Sequence, residues 1–118
     1  MKNTGNTECF VRLMLIPYWV DEDGNQKLGL AAWEPNFTLN SGWFTDIVEG
    51  VTFYYYELPV DPEESTANLI RSDSKIELAV DEDGNRQVLE VFAQCVQSTP
   101  KQAIADLWGE QIADRLVQ

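Results

Sequence analysis

Apolar stretches of strand length recur along the chain, and in some of them polar residues stand at alternate positions, the pattern of half-buried strands. The first covers residues 9–20, where Pro17 cannot donate a ladder hydrogen bond and so predicts an edge position, a bulge or a bend. Residues 26–33 are predicted to form a return strand. Residues 51–58 predict a further strand, because β-branched and aromatic side chains crowd between Gly50 and Pro59.

Two more strands are predicted in the second half of the chain. Residues 76–80 alternate, and residues 88–96 form a longer strand. Four side chains share one face of that longer strand, namely Leu89, Val91, Ala93 and Cys95. Residues 35–50, which are rich in Asn, Ser and Gly, predict a packed loop with a short helical turn at 45–48.

Two helices are predicted from their start signals. Asp61, followed by Pro62 and two acidic residues, predicts a short helix over residues 61–70. Thr99 as N-cap, with Gln102 three positions later, predicts a capping box that opens a C-terminal helix. That helix is expected to lie across the sheet through one apolar stripe, made of Ile104, Leu107, Trp108, Ile112 and Leu116.

Together these elements predict an α+β fold. Its sheet is expected to be mainly antiparallel, with about five strands built from two hairpins, and to be covered by the C-terminal amphipathic helix. The domain is predicted to span residues 9–118, after a flexible polar N-terminus at residues 1–8. Because the chain shows neither a secretory signal nor an apolar run of membrane-spanning length, we expect it to be cytoplasmic.

The charge of the chain narrows the choice of partners. Twenty acidic residues oppose eight basic ones, which gives a formal net charge of −12. Phosphate backbones and anionic membranes repel such a molecule, whereas basic protein surfaces attract it. Solubility alone is an alternative reason for this charge. The chain also has no histidine, which excludes Ser-His-Asp and Cys-His catalysis and His-ligated zinc, so an enzyme is the less favoured class and no cofactor is predicted.

Neither of the two cysteines belongs to a close metal-ligand pair. Cys9 and Cys95 both lie in apolar, strand-like contexts, where a thiol behaves as a small hydrophobic side chain. In a chain without a secretory signal, buried thiols are the favoured prediction. A Cys9–Cys95 disulfide stays open as an alternative, because their two strands could be neighbours in the sheet.

The hexapeptide VDEDGN occurs twice, at residues 20–25 and 80–85. A calcium-binding EF-hand loop needs Gly at its sixth position and a bidentate Glu at its twelfth. Counted from Asp21, these positions hold Gln26 and Ala32, and neither copy meets the requirement. The repeat therefore does not predict a metal site.

Asp-Gly between two alternating apolar runs instead predicts a β-hairpin. One geometry is a two-residue loop at Asp83-Gly84, with Glu82 opposite Asn85. The other is a type I turn over residues 81–84 in which Gly84 is left-handed, and this shifts the strand pairing by one residue. The repetition is compatible both with a duplicated two-stranded unit and with two independent hairpins that converged on one turn sequence.

A turn does not require three consecutive acidic residues, so the acids remain to be explained. If both hairpins point the same way, their tips form one electronegative rim that would attract a Lys/Arg-rich partner. If they do not, the acids are simply solvated. The rim would consist of Asp21, Glu22, Asp23, Asp81, Glu82 and Asp83.

Two aromatic residues complete the candidate binding residues. Trp43 and Phe44 lie in the Gly/Asn/Ser-rich segment, where loop aromatics are often found at binding sites. The alternative is that they fill the core.

These observations favour a small acidic protein-binding module that acts on a basic protein partner, of the inhibitor or immunity type or as a mimic of nucleic-acid charge. Direct nucleic-acid or membrane binding is not expected. One alternative is a small-ligand-binding domain, or an enzyme without histidine, with a pocket between the sheet and the C-terminal helix. Another is a homodimeric structural subunit.

Overall fold

Four strands and two helices make up the fold in the computed structural model, which describes residues 1–30 and 33–116. The elements are β1 (Cys9–Val20), β2 (Trp43–Val48), β3 (Val51–Tyr56), β4 (Arg86–Gln97), α1 (Lys101–Trp108) and α2 (Glu110–Leu116). The strands form one antiparallel sheet in the order β2-β3-β1-β4. The predicted α+β class is therefore confirmed, with four strands in the sheet rather than about five.

The longest pairing joins β1 to β4. Their register runs without a bulge from Cys9 opposite Gln97 to Val20 opposite Arg86. Pro17 sits inside this ladder. Trp19, two residues further along β1, directs its carbonyl away from β4, toward the N–H of Lys27. Because antiparallel residues alternate in direction, the nitrogen of Pro17 also points away from β4, where no hydrogen bond is lost.

The predicted strands 26–33 and 76–80 are not strands in this sheet, and residues 31 and 32 of the first lie outside the described residues. Each segment makes a single bridge, Val20 with Gln26 and Val80 with Arg86. Each turn was therefore predicted correctly, but not the main partner of each long strand. Instead of pairing with the segment across its own turn, β1 pairs with β4. The twelve-residue ladder satisfies more backbone groups than either local hairpin would.

The helical turn predicted at residues 45–48 is also wrong, because this segment belongs to β2. A hairpin joins β2 to β3 through Glu49 and Gly50, whose φ angles are 51° and 82°. Positive φ at both loop residues is the geometry of a type I′ turn, whose twist matches that of the flanking strands.

No helix forms at residues 61–70. The chain turns there instead, with the N–H of Glu64 donating to the carbonyl of Asp61, and Glu63 is left-handed at φ 68°. The segment bonds to the start of the chain, since Asn3 exchanges backbone hydrogen bonds with residues 63 and 64. An isolated helix of this length is marginal, so tertiary hydrogen bonds override its start signals.

The predicted C-terminal helix is two helices, α1 and α2, separated at Gly109, which has φ 95°. Pro100 rather than Thr99 is the N-cap, and no side chain caps the helix. The break also divides the apolar stripe, because Ile104, Ile112 and Leu116 are buried while Leu107 remains exposed.

Both faces of the sheet are covered near its helix-bearing end. On one face the helices pack against Phe10, Phe44, Tyr55 and Val96. On the opposite face, the loops around Val60 form a second core with four strand residues, Cys9, Val11, Leu13 and Trp43. No helix among the described residues has the length and apolar character needed to cross a membrane.

Candidate functional site: the paired acidic turns

Both VDEDGN turns lie at the same end of the sheet. Val20, the last residue of β1, is the Cα partner of Arg86, the first residue of β4. The turn after β1 and the turn before β4 are therefore neighbours. We call residues 21–25 and 81–85 together the paired turns. This arrangement follows from the antiparallel β1–β4 ladder and not from the local hairpins.

The two turns have the same backbone geometry. In each, the N–H of the Gly donates to the carbonyl of the first Asp, at 3.0 Å from Gly24 and 3.3 Å from Gly84. Both glycines are left-handed, with φ 85° and 82°. Of the two geometries considered from the sequence, this is the type I turn with the Gly in a bulge, and Val80 accordingly pairs with Arg86.

The first Asp of each copy has a structural role. The Asp81 carboxylate accepts hydrogen bonds from the N–H groups of Asp83 and Asn85, both at 2.9 Å. Asp21 accepts the equivalent bonds from Asp23 and Asn25, at 2.9 and 3.0 Å. These bonds hold the turn, as Asp side chains commonly do. The four acids that the turns do not need are all exposed: Glu22, Asp23, Glu82 and Asp83.

The two turns touch each other. A Cβ atom placed on Gly84 would lie only 2.6 Å from both Cγ and Oε1 of Glu22, so the Glu22 side chain lies directly over the second turn. The hydrogen bond from Asn85 is the main cause that lowers the pKa of Asp81 in the second turn, and the positive charge of Lys27, which follows the first turn, is a minor one. Each copy is thus part of the environment of the other.

The second copy is more deeply embedded than the first. Asn85 is buried and its Nδ2 donates to the Asp81 carboxylate at 2.9 Å, whereas Asn25 is exposed. This side-chain hydrogen bond is the main reason that the pKa of Asp81 lies below its ordinary value of 3.8. The carboxylate therefore stays ionised throughout the neutral pH range.

Trp43 and Phe44 do not join this surface. The structure buries both, although the sequence led us to expect them at a binding surface. Trp43 packs in the second core and donates from its indole nitrogen to the carbonyl of Ala67 at 3.2 Å. Phe44 stacks on Tyr55, with the ring centroids 5.2 Å apart. The guanidinium of Arg115 lies over the Phe44 ring, with Cζ 3.8 Å from the ring centroid. Both side chains therefore stabilise the fold.

Other chemistry is weakly represented among the described residues. Cys9 and Cys95 are thiols on the adjacent strands β1 and β4, the first buried and the second exposed. Burial, followed by the influence of Cys95, raises the pKa of Cys9 to about 11, so its thiol is not a nucleophile at neutral pH. In the part of the chain that the structure describes, no three acidic or cysteine side chains are grouped so as to hold a metal ion.

The space between sheet and helices, where a ligand pocket was the alternative expectation, is occupied by packed side chains. Tyr55 and Ile104 are completely buried there. An apolar groove lies on the opposite face of the sheet instead. It has a volume of about 460 Å³ and its lining includes Leu13, Leu15, Leu69, Ile76, Leu89 and Val91.

Sequence reasoning identified the acidic turns, but it could not place them together. The signal that would have found their contact is the pairing of the two longest predicted strands, residues 9–20 and 88–96, with each other. No protein-family model, curated protein or solved structure matches this chain.

Proposed function

We propose that the chain is a small acidic, cytoplasmic protein-binding module that binds a basic protein through the paired turns. The observation that carries this proposal is the contact between the two turns, which brings six carboxylates to one end of the sheet. Four of those carboxylates, on Glu22, Asp23, Glu82 and Asp83, are exposed and are not needed to hold the turns.

The charge of the whole molecule supports the same proposal. A net charge of −12 produces a long-range field that accelerates encounters with basic proteins, and the paired turns concentrate part of that charge. The exposed bases Lys27 and Arg86 flank the turns but offset only part of the negative charge that the turns carry. An inhibitor or immunity role, or mimicry of nucleic-acid charge, would use such a surface in this way.

The alternative of a ligand-binding pocket has less support. The sheet–helix interface is filled by core side chains, and the cavity beside the helices is lined mainly by polar groups, including Lys101, Glu110 and Asp114. A homodimeric subunit would have to bring together two chains that each carry −12. Neither alternative accounts for the position of the paired turns.

The test compares two charge-matched variants as baits in a native lysate. One neutralises the spare turn acids: Glu22→Gln, Asp23→Asn, Glu82→Gln and Asp83→Asn. The control neutralises four exposed acids elsewhere: Asp46→Asn, Glu57→Gln, Glu64→Gln and Glu110→Gln. Both variants keep Asp21 and Asp81, so the turns can still form.

We expect the wild type and the control to retain a basic protein at low salt in stoichiometric amount. The turn variant should bind that protein about tenfold more weakly, which corresponds to ~1.4 kcal/mol shared among four rim charges. Raising the salt concentration should weaken the complex, because exposed charges are screened. Equal loss of binding in both variants would show that only the net charge matters and would overturn the proposal.

A further inference from the structure

The outer edge of β4 carries unpaired backbone groups. β4 is the last strand of the sheet, and antiparallel geometry alternates the direction of its backbone groups along the strand. The N–H of Gln87 donates away from β1, to the carbonyl of Ala79 at 2.9 Å, while the N–H of Ser98 donates toward β1, to Glu8 at 3.0 Å. The odd-numbered residues of β4 therefore point their backbone groups outward. Among those that the structure describes, Gln87 alone makes a backbone hydrogen bond to another segment on this side.

This leaves an open edge from residue 89 to residue 97, which we call the β4 edge. At about 3.3 Å per residue its length is roughly 30 Å. The uninterrupted register with β1 shows that no bulge twists it away. It holds no proline or lysine, which commonly protect exposed edges, and its only charged residue is Glu90.

The side chains along the β4 edge are unusually apolar for an exposed strand. Val91 and Phe92 are 59% and 45% exposed, on opposite faces of the sheet. Leu89 and Val91 also line the apolar groove of about 460 Å³, so side chains from an added strand could extend over that groove. An edge of this kind is a template for another strand.

We propose that the β4 edge binds an extended segment of the basic partner as an added strand, with its basic residues next to the paired turns. This inference rests on the proposed function and adds the mode of binding. The edge begins four residues after the second turn, about 13 Å along the strand, since residues 79 and 80 pair with β4 only as far as Gln87. A run of lysine or arginine residues that continues beyond that end of an added strand would therefore approach the turn carboxylates.

Charge favours a basic segment over a second copy of this chain. Self-pairing along the β4 edge would join two molecules of −12 each and would leave the acids of both paired turns without a counter-charge. A basic segment would instead satisfy the outward backbone groups and lower the net charge together. The same negative charge opposes uncontrolled edge-to-edge association of the free protein.

The experiment uses a synthetic fluorescent peptide in which alternating valine and threonine residues end in a run of lysines. Its comparison peptide has the same sequence with N-methylated valines and threonines, so it keeps the charge but cannot donate backbone hydrogen bonds from its valine–threonine part. Binding of both peptides to the full chain is measured by anisotropy. We expect the unmethylated peptide to bind about tenfold or more tightly than the methylated one, because only the first can add as a strand.

A variant pair locates the interaction on β4. Ala93→Pro removes an N–H that points outward, so no hydrogen bond to β1 is lost, and a strand tolerates proline at such a position. The control, Ala93→Thr, keeps that N–H. Proline should abolish the advantage of the unmethylated peptide, and threonine should preserve it. If the proline variant does not fold, as judged by circular dichroism, the two peptides on the wild type still decide.

The possible failures can be told apart. Equal binding of the two peptides, weakened by the four turn substitutions, would overturn strand addition while leaving the paired turns as a binding surface. No binding of either peptide would overturn strand addition, and the lysate experiment would then judge the turns separately. A concentration-dependent dimer in sedimentation that the peptide cannot dissociate would identify the occupant as a second copy and would also overturn the inference.

Discussion

The two VDEDGN turns have the same sequence and the same backbone geometry, but the surrounding fold treats them differently. The first turn is exposed at both Gly24 and Asn25. In the second, Asn85 is buried and Gly84 lies beneath the side chain of Glu22. The difference teaches that a turn sequence specifies its local conformation, while its energetic importance depends on what the tertiary structure packs around it.

This asymmetry has a simple origin in the topology. The second turn leads directly into β4, whose first residue Arg86 pairs both with Val20 and with Val80. The first turn follows β1 and leads into a segment that leaves the sheet after Gln26. The second turn is thus enclosed by its neighbour, and Glu22 of the first turn supplies part of that enclosure.

The asparagines should show the largest difference between the copies. Asn85→Ala removes a buried side chain that donates to Asp81, so we expect a loss of about 1–2 kcal/mol in the free energy of unfolding. Asn25→Ala changes an exposed position and should cost less than about 0.5 kcal/mol. Urea denaturation of the two variants measures both values, and equal losses would remove the claimed asymmetry.

The glycines should show a smaller difference. Alanine at either Gly24 or Gly84 must adopt a left-handed backbone, which costs roughly 1–2 kcal/mol. At Gly84 the new Cβ must also displace Glu22, whereas nothing lies within 4 Å at Gly24. We therefore expect Gly84→Ala to be the more destabilising by about 0.5 kcal/mol, a modest excess because the Glu22 side chain can move.

A double mutant sharpens this second prediction. In a Glu22→Ala background the obstruction is absent, so Gly84→Ala and Gly24→Ala should then have equal effects on unfolding by urea. An excess cost at Gly84 that persists without Glu22 would show that the contact between the turns is not its cause.

Acid should produce the smallest effect. Because the pKa of Asp81 is lower in the folded protein than its ordinary value of 3.8, its ionised form stabilises the fold above that value. This stabilisation is present above pH 3.8. It is lost progressively as the pH falls from 3.8 through the lower pKa that Asp81 has in the folded protein. Removing the main cause with Asn85→Ala should raise the pKa of Asp81 toward 3.8, as measured by NMR titration of its carboxyl carbon. An unchanged titration midpoint would contradict the assignment.

Several elements were predictable because their signals are local. The apolar run within residues 9–20 and the apolar face of residues 88–96 predicted the two long strands, and the Asp-Gly pairs predicted both turns. The apolar stripe predicted helical structure after Thr99, although not the break at Gly109. Each of these signals depends on residues within a few positions of one another.

The elements that failed depend on partners distant in the chain. Residues 61–70 carry helix-start signals but bond to the N-terminal residues, as when the N–H of Thr66 donates to the carbonyl of Met1. Trp43 and Phe44 lie among loop-forming residues, yet their side chains fill two cores on opposite faces of the sheet. Local propensity differs by only about 1 kcal/mol between states, so tertiary burial and hydrogen bonding outweigh it.

By itself, the sequence determined that this chain is acidic, lacks histidine, contains long apolar strand segments and turns sharply at Asp-Gly twice. Only the tertiary structure decided that β1 pairs with β4, and hence that the two acidic turns touch and that an edge is left open beside them. The physical reason is that charge, composition and turn chemistry are properties of neighbouring residues. Strand pairing instead depends on which of several compatible strands buries the most apolar surface and satisfies the most backbone hydrogen bonds.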